Sequence, residues 1–352
     1  MPIGSTVAGR CQLPGRCRDA MSGLCLSLAL TTAAGAEAIS ADGDHEYQEF
    51  VARDLEPGSV IDMRNGRFRV ANSKNSNPDE TTDCETGPLR LNRYPLRVYG
   101  SAGVALLGGR FEGEVPQESD WIYTYCNSTA IGLWNSPSAH MEGQRIRRVW
   151  DGIRIIEESP LFRIDRVWLS EVRDDCLEND FLQTGLIKDS LFDGCFSAIS
   201  LRSSDEALPG DVSVTVTLAG VLMRMQPYLY KGDRRQGFPV KADSASPVLV
   251  IHDSIIAMGD DEMVSASALG IGFDKISDCR NNLFLWTSDK AWPDHLDKPP
   301  NCFRVLQGKE ARAVWAETRL NWINCHPGAV RFPDDEVSDP SKCDHAAHGG
   351  LY

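Results

Sequence analysis

The stretch that decides the fold is FRIDRVWLSEVRDDCLEND, residues 162–180. Its apolar residues form two short runs, and each run ends at charged residues instead of continuing with the spacing of an amphipathic helix. Both runs are rich in Val, Ile, Leu and aromatic residues, which favour strands. The stretch therefore predicts two short strands joined by a turn. It also raises the question of why four carboxylates crowd into residues 174–180.

Runs of the same kind recur from about Val104 to residue 286. Most of them end at Gly, Asp, Asn or Ser, and few amphipathic helices separate them, which argues against alternating strands and helices. Two sets of positions repeat along the chain. The dipeptides at 149–150, 167–168 and 191–192 recur at steps of 18 and 24 residues, and the tripeptides at 151–153, 175–177 and 197–199 recur at steps of 24 and 22.

A repeat of about 20–25 residues built from short strands and turns is typical of a solenoid. A β-sandwich also has short strands at regular intervals, but it does not predict that one motif returns every third strand. We therefore predict an all-β chain folded as a right-handed parallel β-helix with short capping helices. The predicted organisation is a targeting segment (1–36), an N-terminal cap region (37–100), the β-helix (101–308), and a C-terminal cap and tail (309–352).

Capping helices are predicted near both ends, because the apolar ends of a solenoid must be covered. HEYQEFVARDL (residues 45–55) predicts a short helix, and GKEARAVWAETRLNWINC (residues 308–325) predicts a longer one. The expected packing residues of the longer helix are Ala311, Trp315, Leu320 and Trp322.

The first 36 residues have the pattern of a secretory signal. Arg10, Arg16 and Arg18 precede an apolar stretch that is too short to span a bilayer, and this stretch ends in Ala-Gly-Ala at residues 34–36. An N-terminal extension with no targeting role is the alternative. We expect a secreted or periplasmic protein without a membrane span.

The cysteines fit that expectation. Three of the eleven fall in the first 36 residues, and the remaining eight are an even number, as expected for disulfides in an exported chain. Cys325 with Cys343 is the one pair that we predict, and it would pin the tail. The sequence has no Cys-x-x-Cys motif, which argues against a zinc ribbon.

The formal net charge of −14 argues against nucleic acid and anionic membranes as partners, but it does not exclude an acidic substrate. In stacked strands, equivalent positions lie about 4.8 Å apart. Asp151, Asp174, Asp175 and Ser197 would then lie side by side on one exposed wall. Crowded carboxylates push their pKa values apart, so that one serves as an acid and another as a base. This predicts an inverting glycosidase with carboxyl groups about 6.5–9.5 Å apart.

Two segments carry a family resemblance. VWDGIRI (149–155) and VRDDCLEN (172–179) resemble the N-T-D-G-[IF]-D and D-D-C-[IL] motifs of the polygalacturonases, which are hydrolases of the pectin-lyase-like β-helix class. The resemblance covers about residues 148–226. It implies that Asp151, Asp174 and Asp175 form the catalytic group, with Asp175 or Asp151 as the acid.

The same resemblance places other family positions on altered residues. Ser197 stands where the family has the His of a G-H-G segment, and the R-I-K clamp falls on Arg224 and Gln226. The implied substrate is therefore a polysaccharide, acidic or neutral, rather than galacturonan in particular. Aromatic and basic side chains of the segment 226–241 suit acidic sugars. We predict that the substrate is bound by Ser197, Arg154, Arg202, Arg224, Tyr228 and Tyr230.

Two alternatives stay open. The first is a calcium-dependent polysaccharide lyase, in which Asp174, Asp175 and Glu178 bind Ca²⁺ and Arg202 or Arg224 is the base. The second is a non-catalytic, carbohydrate-binding or surface β-helix protein whose acidic ladder is structural. The preferred hydrolase needs no cofactor, and we expect it to act as a monomer.

Overall fold

The computed structural model describes residues 35–72, 94–125, 127–204, 214–259, 263–264 and 269–344. Almost all of the predicted targeting segment lies outside these ranges, as do Cys84 and Cys126. No helix within the described ranges is both long enough and apolar enough to span a membrane.

Short strands follow one another along the described chain, and three α-helices accompany them. The strands are β1 (Ala38–Ser40), β2 (Gly43–Asp44), β3 (Phe50–Arg53), β4 (Val60–Asp62), β5 (Gly66–Val70), β6 (Leu96–Tyr99), β7 (Ala105–Leu107), β8 (Arg110–Gly113), β9 (Ile131–Trp134), β10 (His140–Glu142), β11 (Arg145–Arg147), β12 (Ile153–Ile156), β13 (Phe162–Asp165), β14 (Trp168–Glu178), β15 (Gly185–Lys188), β16 (Leu191–Ser200), β17 (Thr215–Ala219), β18 (Leu222–Met225), β19 (Tyr228–Tyr230), β20 (Asp233–Gln236), β21 (Val240–Lys241), β22 (Val248–His252), β23 (Ile255–Met258), β24 (Met263–Val264), β25 (Ile276–Arg280), β26 (Asn282–Trp286) and β27 (Phe303–Gln307). The helices are α1 (Trp121–Thr124), α2 (Gly270–Asp274) and α3 (Gly308–Cys325), and a 3₁₀ turn spans Pro340–Lys342.

These strands form two long sheets and one small sheet. The first long sheet has the order β1-β4-β7-β10-β13-β15-β17-β22-β25. The second has the order β2-β5-β8-β11-β14-β16-β18-β23-β26-β27, with β3-β6-β9-β12 joining β14 and with β21 joining β16. In both sheets all described pairings are parallel, and the antiparallel pair β19–β20 belongs to the small sheet with β24. The described chain is thus mostly β with long parallel sheets, as the predicted fold class requires.

The parallel sheets begin earlier than the predicted boundary at residue 101. Strands β1 to β6 already belong to the two long sheets. The predicted helix at residues 45–55 is absent, because Phe50–Arg53 pairs as a parallel strand with Leu96–Tyr99. Pairing with a neighbouring strand overrides the weak local preference of this short segment for a helix.

The strand register confirms one sequence alignment. Ile153 lies opposite Leu177, and Asp175 lies opposite Ser197. The tripeptides that were aligned at steps of 24 and 22 residues therefore occupy equivalent positions on neighbouring strands. This register is what brings the acidic residues together.

The dipeptide alignment is wrong. Trp168 lies opposite Arg145 on one side and Leu191 on the other, instead of opposite Trp150 and Phe192. The turns between strands differ in length, so apolar pairs that match in sequence need not match in space.

Side chains alternate between core and solvent in most of the first long sheet. In β17 and β22 every second residue is buried, as expected for strands with one covered face. By contrast, β16 is buried along its whole length. Its outer face is covered in part by α3, because Leu191 and Trp168 pack in a second apolar cluster with Trp322 and Trp315.

Helix α3 spans the predicted residues 308–325. Ala311, Trp315 and Trp322 are buried as predicted, whereas Leu320 is 44% exposed and does not pack against the sheet as expected. The helix presents one face to the strands, and Leu320 lies on the other face.

Three disulfides connect described cysteines. Cys325 is bonded to Cys343, as predicted, and this bond fastens the tail to the end of α3. The other two bonds are Cys176–Cys195 and Cys279–Cys302.

Truncation of Trp322 tests the importance of the packing under α3. We expect Trp322→Ala to lower the free energy of unfolding by about 3–5 kcal/mol, because it leaves a cavity beneath a fully buried indole. Leu320→Ala on the same helix is the control, with an expected change within about 0.5 kcal/mol. Urea denaturation measures both, and equal losses for the two variants would contradict this account of the packing.

Candidate active site

The acidic cluster is built on an irregular point in strand β14. Pairing with β16 is regular up to Val172 and resumes at Asp175, which lies opposite Ser197. Between these points, Arg173 and Asp174 share the space opposite a single residue of β16, as in a β-bulge. Successive side chains of a regular strand point to opposite faces, and a bulge re-aims one of them. The bulge therefore lets two consecutive aspartates approach the same cluster.

Asp151 on the preceding turn completes the group. One carboxylate oxygen from each of Asp151, Asp174 and Asp175 lies within 4.8 Å of the others. The backbone N–H of Asp175 donates to Asp151 Oδ1 at 3.2 Å, and the N–H of Gly152 donates to the backbone carbonyl of Asp175 at 3.0 Å. Asp151 thus replaces a backbone acceptor where the ladder is irregular. This limit joins single oxygens, so the expected separation of about 6.5–9.5 Å between whole carboxyl groups stays a prediction.

Glu178 and Arg154 form the next layer of the cluster. The Arg154 guanidinium is hydrogen-bonded to Glu178 and donates to Tyr94 Oη at 2.7 Å. Burial alone raises the pKa of Glu178, but Arg154 and a hydrogen bond from Asp151 lower it below its usual range. Burial and the Glu178 charge raise the pKa of Asp151 well above its usual value. These opposite shifts favour a neutral Asp151 beside an ionised Glu178.

Lys241 neutralises the other side. Its Nζ lies 2.9 Å from Asp175 Oδ2, and only 24% of its side chain is exposed. Although burial lowers the pKa of Lys241, the charges of Asp175 and Asp174 raise it well above its usual value, so the ammonium stays protonated. Burial raises the pKa of Asp175 above its usual value, although Lys241 and a hydrogen bond to Ser197 limit the rise. Asp175 is therefore the aspartate that is held in an ion pair.

The pKa values of Asp174 and Asp180 are also raised far above the usual value of an aspartate. Burial and the neighbouring Asp175 raise the pKa of Asp174 to about 8. Burial and Glu178 raise the pKa of Asp180 to about 7, although the Ser200 hydroxyl donates to it at 2.5 Å. Both side chains are only half-buried, unlike those of Asp151 and Asp175. Asp174 thus combines a retained proton with access to solvent.

The cluster is less open than predicted. Asp151, Asp175 and Ser197 are each 1% exposed, so they do not stand on an exposed wall. The partly exposed rim consists of Asp174, Asp180, Arg154 and Lys241. The expected exposed wall is therefore mostly buried, with partly exposed residues at its edge.

The predicted substrate-binding residues divide into two groups. Ser197 and Arg154 belong to the cluster, as described above. Arg202 is exposed just beyond the end of β16. Arg224 Nε instead donates to Asp193 Oδ1 at 2.5 Å, in a separate network that also contains Arg319. Its engagement with Asp193 leaves Arg224 unsuited to the role of a lyase base.

The two predicted tyrosines serve different purposes. Tyr228 is buried, and its hydroxyl donates to the backbone carbonyl of Gly194 at 2.9 Å. Tyr230 is half-buried and stacks on Phe196, with ring centroids 5.7 Å apart. Trp121 packs 5.3 Å from Tyr230 and is a neighbour that sequence reasoning missed.

A short link joins these aromatic residues to the cluster. Trp121 also packs 5.8 Å from the ring of Trp150, which directly precedes Asp151. The N–H of Asp174 donates to the backbone carbonyl of Trp150 at 2.9 Å. An aromatic cluster therefore lies beside the carboxylates, on the side of α1 and the β19–β20 hairpin.

A cation is a chemical alternative for the three aspartates, since three oxygens within 4.8 Å can ligate one. Two of these carboxylates already accept hydrogen bonds at the converging point, Asp151 from a backbone N–H and Asp175 from Lys241. An ammonium group therefore provides the positive charge that calcium would bring. Because these donors compete with a metal, the residues do not fit the predicted Asp174, Asp175 and Glu178 site, and we derive no step through calcium.

Comparison with known proteins adds no relative: no family model, no curated protein and no solved structure matches this chain. The geometry of the cluster therefore carries the functional argument.

Lys241 is the main residue of the cluster to which the sequence assigned no role there. It lies 66 residues beyond its partner Asp175, on β21, which pairs with the far end of β16. The β19–β20 hairpin lies between β18 and β21, so β21 does not follow at the 22–24-residue repeat. An alignment of the strand sequences that leaves out the hairpin would have been needed to place Lys241 beside the acids.

The retained protons predict how stability depends on pH. Asp174 and Asp180 have pKa values of about 8 and about 7 in the folded protein, against 3.8 as the reference value. The folded state therefore binds more protons, and the free energy of unfolding should fall as pH rises from about 4 to about 8. Urea denaturation at several pH values measures this slope, and Asp174→Asn should flatten it.

Asp193→Asn is the control for that experiment. Arg224 and Arg319 lower the pKa of Asp193 against the effect of burial, so its contribution to stability is present throughout this pH range. The variant should lose stability without flattening the slope. A wild-type protein that is equally stable at about pH 5 and about pH 8 would contradict the protonation scheme.

Proposed function

We propose that this protein is a secreted, monomeric, right-handed parallel β-helix that hydrolyses glycosidic bonds in a polysaccharide. The fold proposal rests on the order in which strands return to the same two sheets, at steps of 22–24 residues near the cluster. Connections between parallel strands of one sheet are right-handed in nearly all proteins. The three disulfides and the residue pattern before position 37 support secretion.

The observation that carries the enzymatic proposal is the convergence of three aspartates, of which one is partly exposed and another is paired with Lys241. Asp174 holds a proton up to a pH of about 8 and is the most accessible of the three. A general acid must hold its proton at the working pH and reach the leaving oxygen. These properties favour Asp174 as the acid, in place of Asp175 or Asp151.

Asp175 supplies the opposite role. Lys241 and Ser197 favour its ionised form, so that a negative charge lies beside the protonated Asp174. Such a charge stabilises the positive anomeric carbon that forms as the glycosidic bond breaks. As the base, Asp175 takes a proton from the attacking water, whose oxygen bonds to the anomeric carbon while Asp174 gives its proton to the leaving oxygen. This is the inverting mechanism that the sequence predicts.

Asp151 has a supporting role in this scheme. It accepts the N–H of Asp175 and a hydrogen bond from Thr129 Oγ1 at 3.3 Å, and it is 1% exposed. Its carboxyl fixes the backbone at the bulge and keeps Glu178 ionised. Loss of Asp151 should therefore disturb the placement of both other aspartates.

Two variants test the assignment of roles. We expect Asp174→Asn and Asp175→Asn each to reduce turnover by about 10²–10⁴-fold, because one lacks the proton donor and the other the stabilising charge. Release of reducing ends from a panel of acidic and neutral polysaccharides measures turnover. Asp193→Asn, a buried carboxylate outside the cluster, should retain it. Full activity of Asp175→Asn in a folded variant would remove Asp175 from the mechanism.

The same panel separates the alternatives. A lyase would produce an unsaturated sugar that absorbs in the ultraviolet, and its activity would be lost with a chelator. A carbohydrate-binding protein would retain glycan without either product. We expect reducing ends with no new absorbance, unchanged by the chelator, and proton NMR of the first product should show inversion.

A further inference from the structure

The disulfide Cys176–Cys195 lies at the bulge that brings Asp174 and Asp175 together. Cys176 directly follows Asp175, and Cys195 pairs in register with Val172, the last regular position before the bulge. The bond therefore crosses the irregular segment from one end to the other, with Cα atoms 5.7 Å apart. Both cysteines are fully buried in the apolar core.

The backbone at this point lacks a regular ladder with β16. The N–H groups of Arg173 and Asp174 donate to the carbonyls of Val149 and Trp150, which lie between β11 and β12, and that of Asp175 donates to the side chain of Asp151. On the far side, the pairing of β16 with β18 also shifts register between Asp193 and Cys195. The irregular parts of two neighbouring ladders thus adjoin at Cys195, and the covalent bond is made at that residue.

The core has no need of a covalent bond here for burial alone. Cys176 and Cys195 belong to the main apolar cluster together with Val172, Leu177 and Ala198. Small apolar residues would fill similar volumes at these positions. What they would not do is hold the two ends of the bulge at a fixed separation.

We propose that Cys176–Cys195 is a positioning pair, which fixes the bulge and thereby the convergence of the Asp174 and Asp175 carboxylates. This inference rests on the proposed function for its effect on turnover, but not for its effect on the carboxylates. Freed from the bond, β14 can shift toward regular pairing, which turns one of the two aspartates away from the other.

The test compares two double variants of the full chain. Cys176→Ala with Cys195→Ala removes the bond at the bulge, and Cys279→Ala with Cys302→Ala removes a bond of similar span elsewhere. The two bonds close loops of 19 and 23 residues, so their loss should cost similar chain-entropy stabilisation. Any difference between the variants at the cluster then reports position, not general stability.

The first readout is the titration of Asp174, followed by carbon NMR of labelled aspartate side chains. We expect the midpoint to fall by at least about one pH unit in the Cys176/Cys195 variant, because separation from Asp175 relieves the like-charge repulsion. The Cys279/Cys302 variant should titrate as the wild type does. Equal midpoints in all three proteins would overturn the proposal.

The second readout is turnover on whichever polysaccharide the panel identifies. We expect kcat to fall about 10–100-fold in the Cys176/Cys195 variant with little change in KM, and the alkaline limb of its pH profile to move to lower pH. A kcat and pH profile equal to those of the Cys279/Cys302 variant would contradict the inference. If the wild type turns over no glycan, the proposed function fails while the titration still decides the positioning role.

Circular dichroism checks that each variant is folded. If the alanine pair at the bulge does not fold, Cys176→Val with Cys195→Ala restores core volume without the bond. The same shift of the titration midpoint is expected for this variant, and an unshifted midpoint would overturn the proposal in the same way.

Discussion

Two consecutive residues of a strand can direct their side chains to one point only where the strand departs from regular pairing. That constraint governs the site, because Asp174 and Asp175 are consecutive and their carboxylates converge with that of Asp151. The parallel ladder supplies the stacking, and the bulge supplies the convergence. Asp151 links the two, since its carboxylate accepts the N–H that the irregular ladder leaves without a backbone acceptor.

The electrostatic consequence is a cluster that holds protons at neutral pH. Five acids lie close together, whereas Arg154 and Lys241 are the cations that pair with them directly. Arg154 helps to hold the pKa of Glu178 below its usual value, whereas Lys241 only limits the rise that burial causes in the pKa of Asp175. Burial and repulsion raise the pKa values of Asp151, Asp174 and Asp180 as well. Asp174 is half-buried, has a raised pKa and is still partly exposed to solvent. This combination suits it to proton transfer.

The two ends of strand β14 have different neighbours and different roles. Near its start, β14 packs through Trp168 against α3, and this contact serves stability. Further along, the same strand carries the bulge and the acids. The network of Arg224, Asp193 and Arg319 lies on the first region, which explains why an arginine predicted to bind substrate lies apart from the carboxylates. One end of β14 thus contributes to packing against α3, and the other end contributes the acidic residues of the candidate site.

The sequence alone determined a mostly β chain with parallel sheets, helix α3 and the Cys325–Cys343 bond. It also determined the grouping of Asp151, Asp175 and Ser197, because a 22–24-residue repeat encodes the register of these strands. It misplaced the helix at 45–55 and the dipeptide alignment, since local preference and apolar similarity yield to strand pairing. Only the tertiary structure decided the bulge, the depth of burial and the partnership of Lys241 with Asp175. These features depend on contacts between residues far apart in the chain. Burial and charge pairing decide which residues meet there, and the spacing of residues in the sequence does not.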